Sequence, residues 1–279
     1  MSLGTAPPFP TPPPPRLARL CAPAGPAQAV WLRTAEAEVL ILSGRYCVSY
    51  LLLGPETAAV LDVGSAADVP GIARALEGLG RPATSLRWVI PSHLHFDHAM
   101  GLDACARRFG AAVLLGDVAH AHVTQGRPLR FPGRRRLWRA VLTWPLQGLP
   151  FPPPADWRHG LDFGTPWGRD RFSAPLAPPL ADGEPVPGLP GWTLLAAPGH
   201  ADDGICLYHA AAGWLLAGDT VRNFYGGEWN PLLADPAGML RTKARLLALP
   251  PLALVGPGHG PLVTGPDALA RLQQVRLQP

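Results

Sequence analysis

Nowhere in its 279 residues does the chain hold an uninterrupted apolar stretch of about twenty, which excludes a membrane-spanning helix of ordinary length. The N-terminus has neither the basic start nor the apolar core of a secretory leader, so a cytoplasmic location is expected. Cysteine is scarce. Cys21, Cys47, Cys105 and Cys206 are scattered without paired spacing, which argues against a disulfide framework or a thiolate metal site and suits small buried hydrophobes in a reducing compartment. A general excess of positive charge is also lacking. The formal charge of +4 comes from residues 126–175, where nine arginines face only Asp156, Asp162 and Asp170; this local +6 leaves the remainder at −2. Nucleic acid is therefore an unlikely partner for the chain as a whole.

What the chain does have is enough apolar sequence, 47%, to bury one sizeable core, as one large domain or a domain with an insert. Imidazole is concentrated in one place. Ser92-His93-Leu94-His95-Phe96-Asp97-His98 offers three imidazoles and a carboxylate directly after Leu86-Arg87-Trp88-Val89-Ile90, an apolar run that reads as a buried strand. Extended backbone projects residues two apart to the same side, so His93, His95 and Asp97 can converge while Leu94 and Phe96 turn into the core. Asp97 also suits the N-cap of the following helix, along which Ala99, Leu102, Ala106 and Phe109 recur at helical spacing.

Neutral imidazole and carboxylate without thiolate suit zinc, with iron or manganese as competitors. A lone histidine is more often a core or surface residue than a ligand, but three of nine histidines beside one aspartate call for another explanation. Three further candidates follow hydrophobic runs that end in glycine: His200 after Leu194–Gly199, Asp219 after Trp214–Gly218, and His259 after Leu252–Gly258. Each sits at the end of an expected strand.

In this order the motifs resemble those of the metallo-β-lactamase-fold hydrolases, from about Val39 to about Val263. The matching positions are Asp62 in Ala59-Val60-Leu61-Asp62-Val63-Gly64, His93-x-His95-x-Asp97-His98, His200, Asp219 and His259. The resemblance implies two divalent metal ions. His93, His95 and His200 would hold one, Asp97, His98 and His259 the other, and Asp219 would bridge them; Asp62 would be a structural acid close by, not a ligand. The implied fold is α/β, a four-layer αβ/βα sandwich with the metals at one edge of its paired sheets.

Along the chain, seven prolines between Pro7 and Pro15 make residues 1–30 a proline-rich flexible tail, and the hydrolase-like domain would occupy residues 31–279. Val39–Leu42, Cys47–Leu53 and Ala58–Asp62 read as a meander, followed by a helix over Val69–Leu79. Ala111–Leu115 reads as a strand and Asp117–Val123 as a helix, whose His120 and His122 diverge and are taken as bystanders, as are His159 and His209. Residues 126–190 form an insert before the third ligand motif, a cover over the substrate with Arg134–Trp144 as a helix. Trp138, Trp144, Phe151, Trp157 and Trp167 are its aromatic residues. Trp192–Ala197, Ile205–Tyr208, Trp214–Ala217 and Leu252–Val255 read as strands of a second sheet. Pro236–Leu249 is expected as a helix burying Met239, Leu240, Leu246 and Leu247, and Asp267–Leu277 as a closing helix.

Two cations sharing a carboxylate can hold one hydroxide beside a carbonyl or phosphoryl group, so hydrolysis by a metal-bound hydroxide is the expected reaction. Asp97 would orient the water and pass its proton to the leaving group, and Asp219 would hold the ions together. The Pro-Gly-His and Gly-Pro-Gly-His-Gly settings are most similar to the glyoxalase II and lactonase-related branch, which implies a small-molecule thioester, ester or lactone substrate. Two features depart from it: little chain follows His259 to form a glutathione-binding domain, and Arg222, not tyrosine, stands three residues after Asp219, with Tyr225 later. The alternatives are a phosphodiesterase or nuclease, a mononuclear-iron persulfide dioxygenase, and an inactive binding module. The dioxygenase needs only His93, His95, His200 and Asp219, and the full ligand set argues against it and against inactivity.

Overall fold

The computed structural model describes residues 30–130, 156, 170–224 and 226–273. The proline-rich tail, Cys21, His159, Tyr225, the helix expected over Arg134–Trp144 and the aromatic residues Trp138, Trp144, Phe151, Trp157 and Trp167 lie outside the described residues.

β1 (Val30–Arg33), β2 (Glu38–Ser43), β3 (Val48–Leu53) and β4 (Ala58–Leu61) form an antiparallel meander. The Ser-Gly and Gly-Pro breaks turn the chain between β2, β3 and β4, as expected, whereas β1 is an edge strand whose four residues carry too little periodicity to be read from sequence. Helix α1 (Val69–Gly78) crosses over to β5 (Leu86–Ile90), which runs parallel to β4, and β6 (Ala112–Val113), followed by helix α4 (Asp117–Gln125), closes a sheet in the order β1-β2-β3-β4-β5-β6. β6 is shorter than the expected Ala111–Leu115, because the neighbouring donors and acceptors pair with residues 175–180: Val113 N–H donates to Pro175 and Leu180 N–H to Leu115. The second sheet has the order β13-β12-β9-β8-β7, from β7 (Trp192–Ala196), β8 (Ile205–His209), β9 (Trp214–Gly218), β12 (Leu254–Pro257) and β13 (Val263–Thr264). A small ribbon, β10 (Val221–Arg222) with β11 (Glu228–Trp229), lies between β9 and the later strands in sequence.

Strand alternation sorts side chains into layers. Leu51 and Leu53 of β3 join the cluster under α1, while Tyr50 and Leu52 enter the cluster between the two sheets with Trp192, Leu207 and Trp214. A third cluster, Leu195, Leu215, Val255 and Met239 among it, lies between the second sheet and helix α5 (Pro236–Leu247). Each fully buried leucine of this kind contributes about 1.5–3 kcal/mol of transfer free energy. The result is the αβ/βα sandwich expected, with the loops that follow β4, β5, β7, β9 and β12 at a common edge. Cys47, Cys105 and Cys206 are buried free thiols.

Five local expectations are corrected. The chain after His95 forms two helices, α2 (Phe96–Ala99) and α3 (Leu102–Phe109), because Gly101 donates its N–H to Val63 O at 2.8 Å and approaches the loop after β4 so closely that a Cβ there would lie 2.5 Å from Ser65 O. His95, with extended φ and ψ of −65° and 145°, is the N-cap of α2; Asp97 is inside its first turn and makes no cap bond, so its carboxylate is free to face the candidate ligands. Phe96, already helical, is only half-buried. On α5, Met239, Thr242 and Leu246 share the buried face, but Leu240 and Leu247 are one residue, about 100°, further round and are 64% and 44% exposed. Finally, Asp267–Gln273 forms turns instead of the start of a helix. Asp267 has φ of 51°, and backbone donors go to other segments, Ala268 to Leu252 and Gln273 to Gly227, while Ala268, Leu269 and Leu272 are buried.

Candidate metal centre

The expected ligands come from the loops after strands and, for Asp97 and His98, from helix α2, and all seven meet. Three overlapping groups have ligand atoms within 4.8 Å of one another: His93, His95 and His200; His93, His98 and Asp219; Asp97, His98 and His259. His95 Nδ1 lies 2.9 Å from His93 Nε2 and 3.0 Å from His200 Nε2. On the other side, His98 Nε2 is 3.3 Å from His259 Nε2 and 3.9 Å from Asp97 Oδ2, which is 3.4 Å from His259 Nε2. Asp219 faces both halves, Oδ2 at 3.5 Å from His200 Nε2 and Oδ1 at 3.4 Å from both His98 Nε2 and His259 Nε2.

The surroundings fix which imidazole nitrogen is bare. His200 Nδ1 is 2.6 Å from the Leu232 carbonyl, an acceptor only, so Nδ1 carries the hydrogen. Asp62 Oδ2 lies 2.9 Å from His98 Nδ1 and accepts from Ser92 Oγ at 2.8 Å, and Oδ1 accepts from Ser92 N–H at 2.6 Å. With its hydrogen given to Asp62, Ser92 Oγ can accept from His93 Nδ1 at 3.0 Å. In their neutral form all three imidazoles thus turn a bare Nε2 to the cluster, the form a cation requires. Asp62 achieves this from φ of 60°, a left-handed conformation aspartate tolerates better than most residues. Asp62 touches Ser92 and His98 and no other member of the cluster, in keeping with the structural role expected of it.

Burial, helped by neighbouring imidazoles, drives His93 well below its ordinary pKa, pushes His95 down to about 3 and lowers His200. Burial opposes charge at His98 and His259 as well, but Asp62, Asp219 and Asp97 together overcome it at His98, and Asp219 and Asp97 raise His259 to about 9. The carboxyls respond in the opposite sense: despite burial, His259 and His98 hold Asp219 well below the carboxylate range and lower Asp97. The cluster therefore couples neutral donors on one side with a demand for positive charge on the other. Divalent cations fit both. Asp219 Oδ1 is buried and receives no hydrogen bond among the described residues, a further sign of fit.

Close packing leaves little freedom here. A Cβ on Gly258 would lie 2.1 Å from Asp219 Oδ1 and 2.8 Å from His98 Cε1. Sequence reasoning missed Ser92, whose position beside the motif was the available signal, and also Asn230 (Nδ2 3.5 Å from Asp219 Oδ2), Asp203 (accepting from Leu94 N–H at 2.8 Å) and the Leu232 carbonyl, none of which has a local signature. Of the histidines taken as bystanders, His122 pairs with Asp170 at 2.6 Å, and His209 packs edge-on against Trp192.

A four-layer αβ/βα sandwich with trios of histidine and aspartate gathered at one edge is the scaffold of a candidate metal centre. The family model described as the metallo-beta-lactamase superfamily matches residues 42–259, and the chain belongs to that superfamily. It is 36% identical over 104 residues to the probable metallo-hydrolase YqjP of Bacillus subtilis (strain 168), covering 34% of this chain and 32% of that protein. It is 28% identical over 212 residues to a hydroxyacylglutathione hydrolase of Rhodobacter capsulatus, covering 76% of this chain and 62% of the relative. In both, the match spans less than two thirds of the relative's length. Among solved structures, TTHA1623 in a di-iron-bound form has the same fold, with a TM-score of 0.54 and 22% identity over 84% of this chain and 96% of the other. Among the described residues no helix is long and apolar enough to cross a membrane.

Proposed function

We propose that the chain is a dinuclear metal-dependent hydrolase of carboxylic thioesters, esters or lactones, with His93, His95 and His200 holding one ion, Asp97, His98 and His259 the other, and Asp219 between them. The observation that carries this reading is the split presentation of Asp219, one oxygen toward His200 and the other, without a hydrogen bond among the described residues, toward His98 and His259 at 3.4 Å. Leaving a buried anionic oxygen unpaired costs several kcal/mol unless a cation faces it, on the order of 2–7 kcal/mol even for a neutral polar group. All-nitrogen-and-oxygen donors favour zinc, with iron or manganese as alternatives.

When bound, the two ions supply a water of lowered pKa and a Lewis acid for the scissile carbonyl. The chain's own residues do the rest. Asp97, whose Oδ2 lies 3.4 Å from His259 Nε2, accepts the proton of the attacking water and delivers it to the leaving group. Asp62, Ser92 and the Leu232 carbonyl hold the imidazoles in the metal-binding tautomer. The relative named a hydroxyacylglutathione hydrolase supports an acyl substrate.

The segment 126–190 is the natural source of selectivity, as a wall over the site. In support, Arg130 near its start pairs with Asp202 at 2.8 Å and Asp235 at 2.9 Å. Asp156 within it accepts from Tyr46 Oη at 2.8 Å and Ser65 Oγ at 3.1 Å. The test is turnover of the metal-loaded protein on a panel of thioesters, lactones, phosphodiesters and β-lactams, with elemental analysis. About two ions per chain and fastest cleavage of the thioester and lactone group are expected; a single iron, or preference for phosphodiesters, would sink the proposal.

A further inference from the structure

Three of the candidate histidine ligands have their outer nitrogen occupied: His93 by Ser92, His98 by Asp62 and His200 by the Leu232 carbonyl. His259 differs. Its Nδ1 is buried and has no hydrogen-bond partner among the described residues, although its Nε2 faces Asp97, Asp219 and His98 like the rest of the set. The ring lies against Phe224 instead, with centroids 5.6 Å apart and planes inclined by only 22°.

The two residues are strapped together by backbone. Asn223 N–H donates to the His259 carbonyl at 2.8 Å, and Asn223 Nδ2 donates to the Pro261 carbonyl at 2.8 Å. Gly260, with φ of 85°, leaves room for this approach, since a Cβ there would lie 1.9 Å from Asn223 O. Arg222, paired with Glu228 at 2.6 Å, sits 5.8 Å from the Phe224 ring centroid and helps keep that ring in place.

A hydrogen bond to the outer nitrogen does two things for a metal-binding imidazole: it fixes the ring's orientation and raises the basicity of the inner nitrogen. Stacking can do only the first. We infer that Phe224 is the positioning residue for His259, taking the place of the hydrogen bond that orients His93, His98 and His200, and that the Asp97/His98/His259 subsite is therefore the weaker of the two and depends on an aromatic ring at position 224. This rests on the dinuclear reading above.

Cobalt(II) titration of the metal-free full chain against a competing chelator, followed by the visible absorption of bound cobalt, tests it. The wild type should fill in two unequal steps, and His259→Ala should abolish the weaker one. Phe224→Leu keeps an apolar side chain but removes the ring; it should weaken the second step by about tenfold, the low end of what losing an orienting partner costs, with the first step and the thermal midpoint unchanged. Phe224→Tyr restores the ring and should keep both steps. Equal steps in the wild type, a Phe224→Leu protein that titrates like the wild type, or a Phe224→Tyr protein as weak as Phe224→Leu would each overturn the inference. A wild type that takes up only one equivalent overturns the dinuclear reading itself, a result distinct from the other three.

Discussion

Asp62 and His98 are joined by a fully buried contact of 2.9 Å between a carboxylate oxygen and Nδ1, thirty-six residues apart in sequence. The same carboxylate accepts from the Ser92 amide and hydroxyl, so its orientation is fixed. In Asp62→Asn, keeping the bond from the Ser92 amide turns the new NH2 toward Ser92 Oγ and His98 Nδ1. His98 then has to accept at Nδ1 and carry its hydrogen on Nε2, where a metal ligand needs a lone pair. Metal affinity should fall by about ten- to a hundredfold, measured by chelator competition, while the backbone conformation is kept because asparagine also tolerates positive φ. An Asp62→Asn protein with wild-type affinity would refute this role.

Gly258 supplies a second, steric test. Its missing side chain leaves the space occupied by Asp219 Oδ1 and the His98 ring, and the nearest contacts of an added methyl, 2.1 Å and 2.8 Å, are far inside van der Waals distance. Gly258→Ala should displace Asp219 by an ångström or so. A misplacement of that size costs about a hundredfold in rate, and the overpacking about 1–3 kcal/mol of stability. Turnover, metal content and chemical denaturation of the same preparation measure both effects.

Much of the site was legible because the chain concentrates it. His93, His95, Asp97 and His98 are neighbours, and His200, Asp219 and His259 each follow an apolar run ending in glycine, a local pattern that marks a strand end. The same locality explains what was not legible. Asn230, the Leu232 carbonyl and Phe224 meet the ligands through loops whose course depends on the whole second sheet. Asp97 looked like a helix cap because its type and position suit one, but the helix begins at Phe96 with His95 as its N-cap, and the Asp97 carboxylate faces His98 and His259 instead. Likewise, the helical spacing after Asp267 is overridden once Ala268 and Gln273 donate to Leu252 and Gly227.

The face of α5 provides a check on the packing. Met239 and Leu246 are buried against the second sheet, while Leu240 and Leu247 project outward. Met239→Ala or Leu246→Ala should cost about 2–5 kcal/mol in urea unfolding, whereas Leu240→Gln and Leu247→Gln should stay within about 0.5 kcal/mol of wild type. The reverse order would mean that the helix is rotated.

A pH test comes from His122, which lies away from the candidate ligands. Burial works against its charge, but the Arg127 carbonyl and the Asp170 carboxylate at 2.6 Å, with Asp203 nearby, raise its pKa above the ordinary value. Because the folded pKa is the higher one, the pair's stabilisation is complete below about 6.5, the unfolded value, and fades as pH rises through the folded pKa. The stability difference between wild type and His122→Asn should therefore be larger at acidic than at alkaline pH in paired urea titrations. A difference that grows with pH would contradict the pairing.

The segment proposed as the substrate wall is tied to the rim of the site through Asp156, whose carboxylate accepts from Tyr46 and Ser65. Ser65 follows Gly64, where an added Cβ would lie 2.4 Å from the Asp97 carbonyl, so this anchor is one residue from the turn that presents a candidate ligand. Tyr46→Phe removes a single hydroxyl and leaves the buried ring in place. Losing a hydrogen bond to a charged group costs about 1.5–3 kcal/mol, so some loss of thermal stability is expected on any account of the segment. Substrate preference separates the accounts. A wall loosened at Asp156 should change the ratio of kcat/KM for long against short acyl substrates by several-fold with metal content unchanged, whereas a segment that only packs against the domain should lower the thermal midpoint and leave that ratio as it is in the wild type.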